Sequence, residues 1–103
     1  MSDFCLDDKE SIDFLKEAFN ILSEPNRIKI FCLLGEKKAM CVCEIVSALG
    51  LKQNLVSHHL SMFKRIGLVT SNRCCTNIYY SINQDVYKKL KTLVGNIFIL
   101  KDT

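Results

Sequence analysis

No stretch of this chain is long and apolar enough to cross a bilayer, which takes about 18 consecutive apolar residues or more. The N-terminus is acidic and polar and lacks a secretory-signal pattern, which points to the cytoplasm. There is no internal repeat, no low-complexity segment and no interdomain linker, so the length of 103 residues implies one domain. A Gly-rich phosphate loop is missing, and so is any pairing of a nucleophile with a base, which argues against an enzyme. Cysteine, by contrast, is plentiful, with six. Six can mean a secreted disulfide framework. Here 49% of the residues are apolar and helical periodicity is strong, so a core exists without cross-links. In a chain that is not exported the thiols stay reduced.

The net charge of +3 hides an asymmetry. Residues 1–24 carry seven acids against two bases, a net of −5, whereas residues 25–103 carry twelve bases against four acids, a net of +8. From Lys52 to Arg73 there are four bases and no acid, a modest electrostatic footprint for nucleic acid.

Asp7 followed by Glu10 has the spacing of a capping box, and Ile12, Leu15, Phe19 and Leu22 continue at helical spacing, which predicts a helix over 8–22. Pro25 suits the first turn of a second helix, where its missing N–H costs nothing. Ile28, Ile30, Phe31, Leu33 and Leu34 make that helix apolar on most sides, as a central core helix would be. Residues 35–40 read as a loop with room for a short strand. Val42, Ile45, Val46 and Leu49 fall at i, i+3, i+4 and i+7 and predict a short helix, which Gly50 ends. The next helix runs over 53–66, with Val56, Leu60 and Phe63 on its apolar face and Gly67 at its end. Residues 68–73 and 77–82 read as strands, with residues 74–77 at the hairpin tip, although no Asn-Gly turn signal is present. Asn83 can cap a last helix over 84–101, whose stripe is Val86, Leu90, Leu93, Val94, Ile97 and Leu100.

This order is mainly α (α-α-α-α-β-β-α): a winged helix–turn–helix with a two-stranded β wing. Several segments carry a specific likeness: Glu24-Pro25-Asn26-Arg27-Ile28, Met40-Cys41-Val42-Cys43-Glu44-Ile45, Val56-Ser57-His58-His59-Leu60, Gly67-Leu68-Val69 and Ile78-Tyr79-Tyr80-Ser81-Ile82. On these, residues 24–82 resemble the ArsR/SmtB family of metal-responsive repressors. The resemblance implies a homodimer that binds double-stranded operator DNA, an imperfect palindrome. It also implies that the flanking segments, 1–22 and 83–103, dimerise while 24–82 forms the winged-helix core.

A recognition helix needs short polar side chains toward base edges and cations toward phosphates. The helix over 53–66 offers Gln53, Asn54, Ser57, His58 and Ser61, with Asn54 able to pair bidentately with adenine. Lys52, Lys64, Arg65 and Arg73 suit phosphates. Lys52 stands where the family often has a Ser cap, and a cation there opposes the helix dipole. His59, one step round from His58, is expected to pack or hydrogen-bond rather than meet DNA.

Thiolates favour soft ions. Cys41 and Cys43 at a helix start can converge on one ion, and the helix N-terminus is expected to lower their pKa. The family resemblance places its short-helix metal site on this pair. Trivalent arsenic or antimony needs three sulfurs, and the third family position, one turn on, is Val46. Related cadmium and lead sensors complete the site with N-terminal cysteines of the opposite subunit; this chain has only Cys5 there. A Cys41, Cys43 and Cys5 set suits arsenic(III), antimony(III) or lead better than tetrahedral cadmium. Cys32 reads as a buried structural residue; some family members carry a persulfide-forming Cys there, but its partner is missing from residues 83–103. Cys74 and Cys75, adjacent at the wing tip, can form a vicinal disulfide, bind metal or shape the turn. The family's last-helix metal site is expected to be absent, since Asp85 and Asp102 are the only acids there and no His joins them. The thiols leave open a redox- or persulfide-responsive repressor, and a metal- or thiol-transfer module with a vestigial helix–turn–helix.

Overall fold

The computed structural model describes residues 8–98. Cys5, Asp7, Leu100 and Asp102 therefore lie outside the described residues. The elements are α1 (Lys9–Leu22), α2 (Pro25–Lys37), β1 (Ala39–Cys41), α3 (Val42–Leu49), α4 (Gln53–Arg65), β2 (Val69–Cys74), β3 (Asn77–Ile82) and α5 (Gln84–Ile97). The strands form one antiparallel sheet in the order β1-β3-β2. The expected winged helix–turn–helix is present. Its sheet has three strands rather than two, because the segment read as a loop with room for a short strand does form one, β1, and it pairs with the wing.

Local chemistry explains most of the boundaries. The cap of α1 is Asp8, not Asp7: its carboxylate accepts from the Ser11 backbone N–H at 3.2 Å and from the Ser11 hydroxyl at 2.7 Å. Glu10 thus belongs to the first turn without forming the predicted box. Pro25 stands at the start of α2, and Glu24 caps it by accepting from Asn26 N–H at 2.9 Å. That helix does not stop at Gly35. It continues to Lys37, and the residue that breaks it is Lys38, at φ 78°. An added Cβ at Gly35 would make only ordinary van der Waals contact, 3.7 Å from Ile82 Cδ1 at the base of the wing. Gly50, at φ 68°, ends α3 in the left-handed conformation as expected. Asn83 caps α5 by accepting from the backbone N–H groups of Asp85 and Val86.

The core lies where the helices meet. Leu15, Ala18 and Ile21 of α1, Ile30 and Leu34 of α2, Ile45 of α3, Val56, Leu60 and Phe63 of α4, Leu68 and Val69 beside the wing, and Leu90 and Leu93 of α5 form one cluster. Phe31 stacks on Phe63 with ring centroids 5.4 Å apart. The expectation for α2 needs correction. Only Ile30 and Leu34 are buried; Ile28 is 47% exposed, and Cys32 is also exposed rather than structural and buried. Its apolar residues outnumber the positions that face the core. Outside the core, Ile12 and Phe19 on α1 and Ile97 and Phe98 at the end of α5 remain exposed. Among the described residues no helix is long and apolar enough to cross a membrane.

Candidate nucleic-acid interface and dithiol site

Helix α4 buries Val56, His59, Leu60 and Phe63, and this anchors its opposite side in the open. That side carries Gln53, Asn54, Ser57, His58 and Ser61, all exposed. Lys52 is the N-cap residue and makes no side-chain cap bond, so its ammonium is not used in closing the helix. The Ser61 hydroxyl donates to the His58 carbonyl at 2.7 Å. The two cations at the other end are engaged within the chain. Lys64 donates to Ser71 Oγ of β2 at 2.9 Å, tying α4 to the wing, and Arg65 reaches Glu17 of α1 at 3.5 Å. Arg73 is exposed on β2.

His59 lies on the other side, 2% exposed, as its helical position implied. Its Nδ1 accepts from Arg27 Nε at 2.9 Å, and its Nε2 stands 3.7 Å from Glu24 Oε1 with no hydrogen-bond partner among the described residues. Since Nδ1 accepts, the proton of a neutral ring belongs on Nε2. Burial first, and then the Arg27 guanidinium, hold the imidazole below its ordinary pKa. Arg27 Nη1 also donates to the Ile21 carbonyl at 3.4 Å. Glu24 and Arg27 thus join the loop after α1 to the recognition-type helix. Sequence reasoning assigned neither residue a role. Arg27 and His59 are separated by 32 positions, and no local signal foretells the contact.

The two thiols of Cys41-Val42-Cys43 do converge: their Sγ atoms are 3.4 Å apart. Cys41 is buried and Cys43 exposed. Cys41 has two structural duties. It is the last residue of β1, opposite Tyr79 of β3, and it is the N-cap of α3. Glu44 holds the cap by accepting from the Cys41 backbone N–H at 3.1 Å. The expected lowering of pKa at the helix start is not what the Cys43 thiol shows. Its hydrogen bond with Cys41, and then the charge of Cys41, raise it above the ordinary value. The pair is therefore a soft dithiol whose last proton is tightly held. Its donor chemistry fits a thiophilic ion, but two sulfurs are only part of a ligand set. Among the described residues no group of three or more His, Cys, Asp or Glu is placed to hold a metal ion.

The dithiol opens into a cleft of about 330 Å³ that α3 shares with α4 and the wing. Gln53 and Ser57 form its α4 wall, and Thr76, Asn77, Ile78 and Tyr80 its wing wall. The thiols and part of the candidate DNA face thus border one space. Cys74 and Cys75 are exposed beyond it, at a two-residue turn, Cys75-Thr76, with Cys75 at φ 58°. Cys32 borders a separate cleft with Phe31, Ile82 and Tyr87.

Comparison with known proteins agrees with this geometry. The family model described as "Bacterial regulatory protein, arsR family" matches residues 24–71. The HTH-type transcriptional regulator MJ1325 of Methanocaldococcus jannaschii is 34% identical over 88 residues, covering 85% of this chain and 99% of its own. The cadmium resistance transcriptional regulatory protein CadC of Listeria innocua is 38% identical over 64 residues, which are 62% of this chain and 54% of that protein. This chain thus spans about half the length of that cadmium regulator. Among solved structures, the homodimeric winged helix–turn–helix DNA-binding domain of Mb0332 from Mycobacterium bovis superposes with a TM-score of 0.67 at 26% identity, covering 89% of this chain and 87% of that one. The chain belongs to the ArsR family of helix–turn–helix transcriptional regulators and is not an enzyme.

Proposed function

We infer that this protein is a homodimeric cytoplasmic repressor that leaves its operator when a thiophilic metal or metalloid binds Cys41 and Cys43. The operator is a double-stranded, imperfect palindrome, because a two-fold protein matches a two-fold site. Asn54, Ser57 and His58 read bases, with Gln53 and Ser61 beside them. Lys52 and Arg73 meet phosphates, and Lys64 and Arg65 join them on rearrangement of their present contacts. The outward apolar residues of α1 and α5 supply the dimer surface in this reading; the similar Mb0332 domain is homodimeric.

The observation that carries this reading is the position of Cys41. It ends the strand paired to the wing and caps the helix that leads into α4. An ion drawing Cys41 and Cys43 toward a third sulfur shifts the wing and α3 together, and so changes the angle of α4. The third sulfur is Cys5 of the opposite subunit in this reading. That set favours arsenic(III) or antimony(III), then lead, over cadmium. A coupling of roughly 1–3 kcal/mol weakens DNA binding about 5–150-fold.

Titration of the reduced protein–operator complex with arsenite or lead tests this, with thiolate-to-ion absorption and DNA anisotropy followed together. The two signals should change in step. Absorption that saturates while the operator stays bound would contradict the reading. A second reading, a thiol redox sensor, draws on the same 3.4 Å sulfur contact. It expects release by a disulfide oxidant with no ion present, reversed by a reductant.

A further inference from the structure

Glu24, Arg27 and His59 meet where the end of α1, the start of α2 and the buried side of α4 come together. Each has a second attachment. Arg27 Nη1 holds the Ile21 carbonyl of α1 at 3.4 Å while its Nε donates to His59 Nδ1. Glu24 Oε1 accepts from the Asn26 N–H at 2.9 Å as the cap of α2, and the same oxygen stands 3.7 Å from His59 Nε2. His59 adjoins His58, which is exposed on the candidate DNA face with its ring centroid 5.9 Å from that of His59.

The contact between Glu24 and His59 is unfinished. Nε2 is buried and has no hydrogen-bond partner among the described residues, although a carboxylate stands about an ångström beyond hydrogen-bond length. A buried donor left so is costly. The neutral ring carries its proton on Nε2, so a second proton can go only to Nδ1, the atom that accepts from Arg27. There it would set two donors and two cations face to face. The charged or titratable groups acting on the ring are Arg27 of α2, Glu24 in the turn before it and His58 of α4 itself. From α1 the contact is the Ile21 carbonyl, on Arg27. Burial and Arg27 keep the ring neutral at neutral pH, and Glu24 opposes them.

We propose that Glu24, Arg27 and His59 form a proton-operated latch that positions α4, so that proton uptake by the His59 ring weakens specific operator binding. The latch rests on α4 being the helix that reads DNA, and it is independent of Cys41 and Cys43. On protonation the Arg27–His59 bond breaks, and Glu24 leaves the Asn26 N–H to accept from Nε2–H. Glu24 is partly exposed, so protons reach the ring from that side. Arg27 is the tie between α4 and α1, whose exposed Ile12 and Phe19 belong to the proposed dimer surface. Once it is released, α4 turns relative to that surface, and two copies lose the spacing a two-fold site needs. Coupling is reciprocal, so operator binding must make His59 harder to protonate by the same factor. His58 acts in the opposite sense, because an exposed charge on the DNA face favours phosphates in acid.

The test follows the His59 titration by NMR in the reduced full chain, free and bound to an operator duplex selected from random-sequence DNA, from about pH 8 to about pH 5. The chain has two histidines, and His58→Gln identifies the second signal. Operator should move the His59 titration down by about one unit, which corresponds to a tenfold loss of operator affinity on protonation. Anisotropy should show that loss for the operator and not for a scrambled duplex, at a temperature where circular dichroism shows the fold intact. His59→Asn keeps an acceptor for Arg27 and cannot titrate, so its operator affinity should no longer fall in acid. Glu24→Gln keeps a cap oxygen without the charge and should move the acid loss to lower pH. A His59 titration at the same pH in free and bound protein overturns the latch, as does an acid loss that persists in His59→Asn. The titration is read on the unaltered protein, so it decides even where a variant does not fold. Asn54→Ala and Ser57→Ala, measured alongside at neutral pH, test the reading beneath it. Weakened binding keeps α4 as the recognition helix whatever His59 shows, and normal binding by both removes that assignment and the latch with it.

Discussion

At the scale of single residues, His59 shows how burial turns a surface-type side chain into a structural one. It is neutral in the fold, held below its ordinary pKa by burial and by Arg27. The unfolded chain binds a proton at His59 more readily than the folded chain does. His59 therefore favours the fold above the ordinary value of 6.5, and this advantage is lost as the pH falls below it. Thermal unfolding followed by circular dichroism should show the midpoint falling between neutral pH and mildly acidic pH. A His59→Asn variant, which keeps an acceptor near the Nδ1 position, should lose that part of the pH dependence. His59→Ala removes the acceptor from Arg27 Nε and should cost roughly 1–3 kcal/mol. The Cys43 thiol has the opposite consequence for ligand binding. An arriving ion must displace a proton held more tightly than usual, so apparent ion affinity should rise with pH. Proton release in calorimetry, compared across buffers, measures it.

At the scale of elements, α4 has two faces with separate tests. Phe63 is fully buried and stacked on Phe31. Phe63→Ala should destabilise the fold by about 3–5 kcal/mol, as cavity-forming substitutions do; chemical denaturation measures it. Ser57→Ala or Asn54→Ala should leave stability unchanged and weaken specific binding by roughly 1–3 kcal/mol for each base whose hydrogen bonds are removed. Lys52→Ala should weaken binding to every sequence and flatten the logarithmic salt dependence by about one unit. Normal operator binding by the Ser57 and Asn54 variants would mean that the recognition face lies elsewhere. The helices were legible because apolar spacing and caps agree: Val42 to Leu49 with Gly50, and Val56, Leu60 and Phe63 with the open face opposite. What the sequence did not show were features that depend on distant partners. The sequence left room for strand β1 but not for its partners: Met40 and Cys41 pair with Tyr80 and Tyr79, some 40 residues away. The sequence pointed to Asp7 as the cap of α1, whereas the contacts with Ser11 belong to Asp8, one residue on. Cys75 takes a left-handed turn conformation that Gly or Asn usually signals, so the tip was legible only from its strand ends.

At the scale of the whole molecule, exposed apolar surface and charge divide the work. Ile12 and Phe19 lie seven residues apart on one face of α1, 46% and 45% exposed, and Phe98 at the end of α5 is 70% exposed. Full burial of such a side chain is worth about 1.5–3 kcal/mol, and covering the part still exposed gains the corresponding share of it. Sedimentation should therefore give a dimer at micromolar concentration. Phe19→Glu should shift it toward monomer and weaken operator binding at the same time. In the sequence the thiol spacing and the polar helix face were each visible. That they border one cleft was not, because the wing's Asn77 and Tyr80 reach it only through the sheet. In the proposed function this shared space links ligand and DNA. The most direct measurement compares two paired variants, Cys41→Ser with Cys43→Ser, and Cys74→Ser with Cys75→Ser, in operator-release assays with arsenite or lead. The first should bind operator and no longer release it, while the second should release it as the unaltered protein does. The reverse pattern would place the sensor at the wing tip and contradict the account.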